Sequence, residues 1–161
     1  TGHKVTVYNR TIAKARPLEQ KGAKVVGAPR GAIDQSNCII LMLSDVWAIE
    51  EVLSPQEDEE LTGKTVIQMG TIAPSESVSV CKQVTRHGGE YLECPVLGSR
   101  KEAAGGELIL MVGSKEEQFQ KWQELLLRAD LLKVCVRIVV YCQYALLTLL
   151  SLQLKRCLHK Q

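Results

Sequence analysis

The chain is predicted to fold as a doubly wound α/β domain with a mostly parallel sheet, and three observations lead there. Short β-branched or apolar runs alternate with helical segments of roughly ten to fifteen residues, the spacing of βαβ units. One run, "CIILML" from Cys38 to Leu43, is apolar throughout, as a strand covered on both faces would be. Four turns, "YNRT", "LSD", "MGT" and "PVLGS", each follow a strand-like run. Parallel neighbours need a crossover, so this alternation and a parallel sheet imply each other.

Taken in order, Lys4 to Tyr8 alternates and β-branches as a first strand. Thr11 stands as the N-cap of a polar helix carrying Ile12, Ala15 and Leu18, which Pro17 kinks or stops. Lys24 to Val26 is a short strand, and Ala28 to Gln35 a short helix starting near Pro29. After the Cys38–Leu43 run, Asp45 caps a helix from Val46 to Leu53, and "SPQEDEE" reads as an acidic, solvated loop. Lys64 to Met69 is the next strand. Pro74 opens a helix to about His87, which "HGG" ends, and Tyr91 to Cys94 is a further strand. Beyond the "PVLGS" turn come a small charged helix, a Gly105-Gly106 break, a strand-like "LILMVG" and a helix from Lys115 to about Leu127.

Composition narrows the class of function. At 161 residues the chain has the length of one domain, or of one domain plus an appendage. Hydrophobic residues at 45% and charged ones at 24% point to a globular protein rather than a disordered one. A net charge of +2 gives no basic face for nucleic acid, so no such partner is expected. The six cysteines are widely spread, three of them inside apolar runs, which predicts reduced thiols and a cytoplasmic setting. There is no Cys-x-x-Cys pair or His cluster, so no metal site is expected. His3, His87 and His159 have no carboxylate partners, and Ser75, Ser77 and Ser79 lie outside any Gly-x-Ser-x-Gly elbow. A Ser-His hydrolase is therefore not the reading.

Doubly wound sheets take their ligands beyond the carboxyl ends of their strands, which selects the four turns. In "YNRT", Asn9, Arg10 and Thr11 follow the first strand. An arginine there suits a ribose 2′-phosphate, where an acid would suit the 2′-hydroxyl, so a nucleotide site at this place would prefer NADP(H). A plain Asn-Arg-Thr turn capped by Thr11 explains the same residues as well. "MLSD" brings backbone N–H groups to a helix start, and a cap by Ser44 or Asp45 competes with a ligand role. In "MGTIAP", Gly70 permits close backbone approach and Thr71 offers a hydroxyl.

Taken together, "GHKVTVYNRT", "LMLSD", "VIQMGTIAPSES", "GGEYLECPVLGS" and "GGELILMVG" resemble the β-hydroxyacid dehydrogenase family, whose members include 3-hydroxyisobutyrate dehydrogenase and the glyoxylate/succinic semialdehyde reductases. The similarity runs from Thr1 to about Leu127. It implies a Rossmann-like domain binding NADP(H), with NAD(H) the lesser alternative, and a small hydroxy acid or aldehyde as substrate. By this resemblance Asn9, Arg10 and Thr11 match the adenosine-end motif, with Arg10 as the 2′-phosphate partner. Leu43 and Ser44 match the turn along the middle of the cofactor, and Thr71 the threonine near the nicotinamide ribose. Val96, Gly98 and Ser99 match the substrate turn, whose backbone and hydroxyl donors hold a carboxylate.

Three departures accompany the match. The family's first strand and glycine loop have no counterpart in this sequence, which starts at what would follow them. Leu97 stands where the substrate turn usually has Ser. After Leu127 the Gly-x-x-Gly-x-Gly segment and its catalytic lysine are replaced by "RADLLKVCVRIVVYCQYALLTLLSLQLKRCLHKQ". Lys133 matches that lysine neither in neighbours nor in spacing, so the catalytic group is unknown. The expected organisation is a partial NAD(P)-binding domain over residues 1–127 and an atypical apolar helical tail over 128–161. Little turnover is expected from this polypeptide alone. The alternative is a non-catalytic interaction module, or a membrane-associated fragment, that uses the tail. Ile138 to Leu152 is uncharged yet shorter than the roughly 20 residues that span a bilayer, so a membrane partner is not the main expectation, whereas residues 131–153 offer a surface for self-association.

Overall fold

A computed structural model describes residues 3–54 and 61–128 of the chain. They belong to two compact units, which divide between Pro95 and Val96. The acidic loop at 55–60 and the tail beyond 128, with Lys133, the apolar run and the proposed self-association surface, lie outside the described residues.

The first unit follows the order β1 (Thr6–Tyr8), α1 (Ile12–Ala15), a 3₁₀ segment (Arg16–Lys21), β2 (Lys24–Val26), α2 (Pro29–Asp34), β3 (Cys38–Leu41), α3 (Val46–Leu53), β4 (Thr65–Gln68), α4 (Pro74–Arg86) and β5 (Glu90–Glu93). β1 pairs with β2 in parallel, Val7 opposite Val25. β3, β4 and β5 form a second parallel ladder with Ile39, Val66 and Tyr91 in register. The parallel α/β architecture is thus present, as two ladders rather than one: among the described residues no ladder joins β1 to β3.

One hydrophobic core serves the second ladder. Ile39, Leu41, Val66 and Tyr91 from one sheet face pack with Ile49 and Leu53 of α3, with Val80 and Val84 of α4, and with Ile33 of α2. Each such side chain contributes about 1.5–3 kcal/mol on leaving water. Tyr91 keeps its hydroxyl satisfied inside this core by sharing a 3.0 Å hydrogen bond with Ser77 Oγ.

Two local expectations need correction. The Cys38–Leu43 run is not covered on both faces: Ile39 and Leu41 are buried, but Ile40 is 48% and Met42 55% exposed. Among the described residues, β3 pairs on one edge, with β4. Its alternating side chains therefore split between a face packed by helices and a face that is open at this edge. Thr11 does occupy the N-cap position of α1, but its hydroxyl makes no capping bond. Instead Asn9 Oδ1 accepts from the Thr11 N–H at 2.9 Å, an Asx turn that shapes the approach to the helix. α1 then gives way to the 3₁₀ segment at Arg16, since the residue before Pro17 is disfavoured in a helix and Pro17 brings no donor.

Lys64, immediately before β4, anchors the crossover from α2. Its Nζ donates to Ile33 O at 2.9 Å, to Ser36 O at 3.0 Å and to Asp34 O at 3.3 Å. These carbonyls end α2, where intrahelical donors have run out, and a cation there also meets the negative end of the helix dipole. The adjacent Thr65 N–H donates to Asn37 O at 2.8 Å, so the start of β4 is bonded twice to the α2–β3 connection.

The second unit, described by itself, contains β6 (Val96–Leu97), α5 (Arg100–Gly105), β7 (Ile109–Leu110) and α6 (Glu116–Arg128). β6 and β7 pair antiparallel, Val96 opposite Leu110, so "LILMVG" returns to its own hairpin partner.

Replacing Lys64 by Met should lower the stability of the chain by about 1–3 kcal/mol, because the carbonyls at the end of α2 lose a charged donor. Urea denaturation of Lys64→Met and Lys64→Arg against the parent checks this, with the arginine variant expected to retain most of the stability.

Candidate functional site

Three sequence-predicted turns lie at the carboxyl ends of β1, β3 and β4, and the first unit brings them together. Asn9, Arg10 and Thr11 are exposed beyond β1; Ser44 and Asp45 are exposed beyond β3; Thr71 is exposed beyond β4. Parallel pairing orients every carboxyl end of a ladder the same way, and the helices that follow carry the chain back.

Two observations relate these turns to one another. The first is electrostatic. Asp45's carboxyl is held below its ordinary 3.8 by the Ser44 hydroxyl, then by the Ala48 N–H, and in smaller part by the positive charge of Arg10. Arg10 therefore stands close enough for its field to reach the β3 turn. The second is steric. A side-chain carbon on Gly70 would lie 2.6 Å from Leu43 O, so the β3 and β4 turns approach each other more closely than any residue but glycine allows.

The polar groups of these turns are engaged with one another. Ser44 Oγ donates to Asp45 Oδ2 at 2.6 Å, and Asp45 Oδ1 accepts from the Ala48 N–H at 2.9 Å. Asp45, read from the sequence as a cap, is the cap of α3. Thr71 precedes the start of α4, where Glu76 accepts from the Ala73 N–H at 2.7 Å.

Gln68 was not singled out by sequence reasoning. It ends β4 fully buried, and neither its Oε1 nor its Nε2 has a hydrogen-bond partner. Its Nε2 lies 3.1 Å from where a Gly70 side chain would begin, directly beneath the β3–β4 contact. An unpaired buried amide of this kind costs about 1–3 kcal/mol. The only sequence signal was a glutamine inside an otherwise apolar strand. Cys94, just past β5, is fully buried, and burial pushes its thiol up to about 12, so it carries little of the reactive thiolate.

The substrate turn implied by resemblance belongs to the second unit. Val96 is half-buried in β6, Leu97 is exposed, and Gly98 has φ +140°, a conformation that favours glycine. Ser99 is the N-cap of α5, and its own groups are taken by Glu102: the Ser99 N–H donates to Glu102 Oε2 at 2.6 Å, and Ser99 Oγ donates to the same oxygen. Ser99 Oγ also accepts from the Lys101 N–H at 3.2 Å. Glu102's carboxyl is held below its ordinary range, first by the Ser99 hydroxyl and then by the Ser99 N–H. "SRKE" carries the Ser-x-x-Glu capping signature, which would have revealed this bond from sequence.

Residues 1–136 match the NAD binding domain of 6-phosphogluconate dehydrogenase. The chain belongs to that family. The resemblance to the β-hydroxyacid dehydrogenases holds at the level of curated relatives: the chain is 34% identical over 123 residues to glyoxylate/succinic semialdehyde reductase 1 of Arabidopsis thaliana, covering 74% of this chain and 43% of that protein. It is 36% identical over 114 residues to 2-hydroxy-3-oxopropionate reductase of Escherichia coli, covering 69% and 39%. It is also 33% identical over 125 residues to cytokine-like nuclear factor N-PAC of Drosophila melanogaster, covering 75% and 21%. The chain thus spans less than half the length of each of these relatives. Among solved structures, the imine reductase of Aspergillus terreus in complex with NADPH4 and dibenz[c,e]azepine superposes with a TM-score of 0.77 at 23% identity, over 98% of this chain and 54% of that one. That likeness fixes the Rossmann-like fold. A nicotinamide-dinucleotide-binding domain is therefore the established reading of the chain. No helix among the described residues is long and apolar enough to cross a membrane.

Two outcomes test this geometry. Gln68→Met keeps the side-chain length and removes both orphaned polar atoms, so it should raise stability by roughly 1 kcal/mol in thermal or urea unfolding. Asp45, whose folded carboxyl is depressed, contributes stability that is complete above its ordinary 3.8 and is lost as pH falls through the lower folded value. The stability gap between the parent and Asp45→Asn should therefore be constant near neutrality and close on acidification below that range, as followed by urea midpoints across pH.

Proposed function

We propose that the chain is the NADP(H)-binding portion of an oxidoreductase that acts on small hydroxy acids or their aldehydes and semialdehydes. The observation that carries this reading is the convergence of an exposed arginine after β1 with the β3 and β4 turns at one end of parallel strands, the place where such folds take their ligands. A family match over most of the chain and the named activities of the plant and bacterial reductases support it.

The residues present suit a dinucleotide with a 2′-phosphate. Arg10 supplies a planar, permanently charged donor set for that phosphate, and the Asn9–Thr11 turn holds the backbone from which it projects. Leu43 and Ser44 form the wall past which the middle of the dinucleotide runs, and Gly70 keeps that wall tight against the next turn. Thr71 offers its hydroxyl at the nicotinamide end. Val96, Gly98 and Ser99 form the substrate turn. A nicotinamide bound here would supply or accept hydride, and these residues would bind and orient it.

A second reading comes from the N-PAC relatives, whose name describes a nuclear factor rather than a reductase. On that reading this domain is a non-catalytic interaction module, in which a nucleotide preference has no need to persist. Titration calorimetry separates the two. The chain is expected to bind NADPH about ten-fold or more tightly than NADH, and Arg10→Ala is expected to remove that preference through loss of one charge-assisted contact. Equal affinities in the parent would sink the role given to Arg10, and absence of both would favour the interaction module.

A further inference from the structure

We propose that Gln68 is a positioning residue of the dinucleotide site: its buried side-chain amide backs the Leu43–Ser44 peptide and takes the Leu43 carbonyl as its partner when the Ser44 N–H turns to a bound dinucleotide. The inference rests on the reading of the β3 and β4 turns as the cofactor site, and it adds a residue beneath them that touches no ligand itself.

Three observations meet at one point, the bare face of Gly70. A side-chain carbon there would lie 2.6 Å from Leu43 O but 3.7 Å from the Leu43 carbonyl carbon, so the C=O bond is aimed at that face. The same point lies 3.1 Å from Gln68 Nε2, at the end of β4. Gln68 is fully buried, and neither its Nε2 nor its Oε1 is hydrogen-bonded. A donor and an acceptor thus face one gap without bridging it, and glycine is the residue that leaves the gap open.

Peptide geometry links this gap to the ligand side. In a trans peptide the C=O and the following N–H point in opposite directions, so a Leu43 carbonyl aimed at Gly70 directs the Ser44 N–H away from it, and Ser44 is exposed. The pyrophosphate and ribose oxygens along the middle of a dinucleotide are acceptors, which draw such an N–H toward them and repel the carbonyl behind it. The same rotation drives Leu43 O toward Gln68 Nε2. An amide that has no partner in the chain alone and gains one on binding favours the bound state by the difference, so a group without ligand contact raises affinity.

The test measures NADPH and NADH affinity of the parent and of Gln68→Met by titration calorimetry, alongside the side-chain NH2 resonances of Gln68, identified by their absence from the variant. Methionine fills the same space without polar atoms and is expected to stabilise the fold, so weaker binding would not come from unfolding. The variant should bind both dinucleotides about three- to ten-fold more weakly than the parent, because the Leu43–Ser44 turn meets the part they share. On saturation of the parent with NADPH, one Gln68 NH2 proton should move downfield as it gains its acceptor. A residue that only packs would show neither effect. If Gln68→Met binds as tightly as the parent, or the Gln68 resonances stay in place on saturation, the inference fails while the cofactor site stands. If the parent binds neither dinucleotide, the inference fails together with the proposed function.

Discussion

Burial of β4 on both faces and pairing on both edges is the constraint from which the first unit follows. Thr65, Val66, Ile67 and Gln68 are all buried, and every one of them faces a parallel partner in β3 and in β5. A strand in that position cannot exchange its backbone bonds with water, so its ladder partners are obligatory. Parallel partners require crossovers, and the crossovers put α3 and α4 against the sheet face that carries Val66. Lys64 then fixes where β4 begins by binding the carbonyl end of α2. With both its start and its neighbours specified, the end of β4 falls where Gly70 meets Leu43 O.

The candidate site is a consequence of that arrangement rather than an addition to it. Turns that leave parallel strands in one direction crowd together, and the crowding selects glycine at position 70 and leaves Gln68 enclosed beneath it without partners. Unpaired polar atoms of this kind are rare in well-packed interiors. Here the cost is borne at the end of the strand next to the candidate turns, while the apolar side chains of the same strand supply the compensating burial. The hydroxyls and carboxylates around it satisfy each other: Ser44 with Asp45, Asn9 with the Thr11 backbone, Ser99 with Glu102. Each of these pairs holds a turn in shape, and each is a bond that an incoming ligand must replace or leave intact.

The sequence made the element order legible wherever period and punctuation agreed. Val46–Leu53 begins after its Asp cap and Pro74–Arg86 after its proline, as expected, because these signals act within one helical turn and need no tertiary partner. The "CIILML" run misled, since hydrophobicity says what a strand tolerates and not which neighbour covers it; Ile39 and Leu41 are buried while Ile40 and Met42, on the opposite sheet face, are exposed. Thr11 misled in a smaller way, because an N-cap position and an N-cap bond are different things once Asn9 takes the nearby N–H. The turns "YNRT", "LSD" and "MGT" follow strands as expected, whereas Val96 and Leu97 of "PVLGS" form a strand of their own. Their partners were less visible: Gln68 needs the ladder to be seen as buried, whereas the Ser99–Glu102 bond was already readable in the Ser-x-x-Glu spacing of "SRKE".

The sequence by itself determined the fold class, the family and the identity of the turns, because periodicity, capping residues and an ordered set of motifs are local properties of the chain. Tertiary structure decided how those turns meet and what their polar groups already hold. The field of Arg10 reaching Asp45, the contact of Gly70 with the Leu43 carbonyl, and the three carbonyls gathered by Lys64 each join residues far apart in sequence. Such pairings depend on which strands become neighbours, and that choice is made by burial over the whole unit rather than by any one segment.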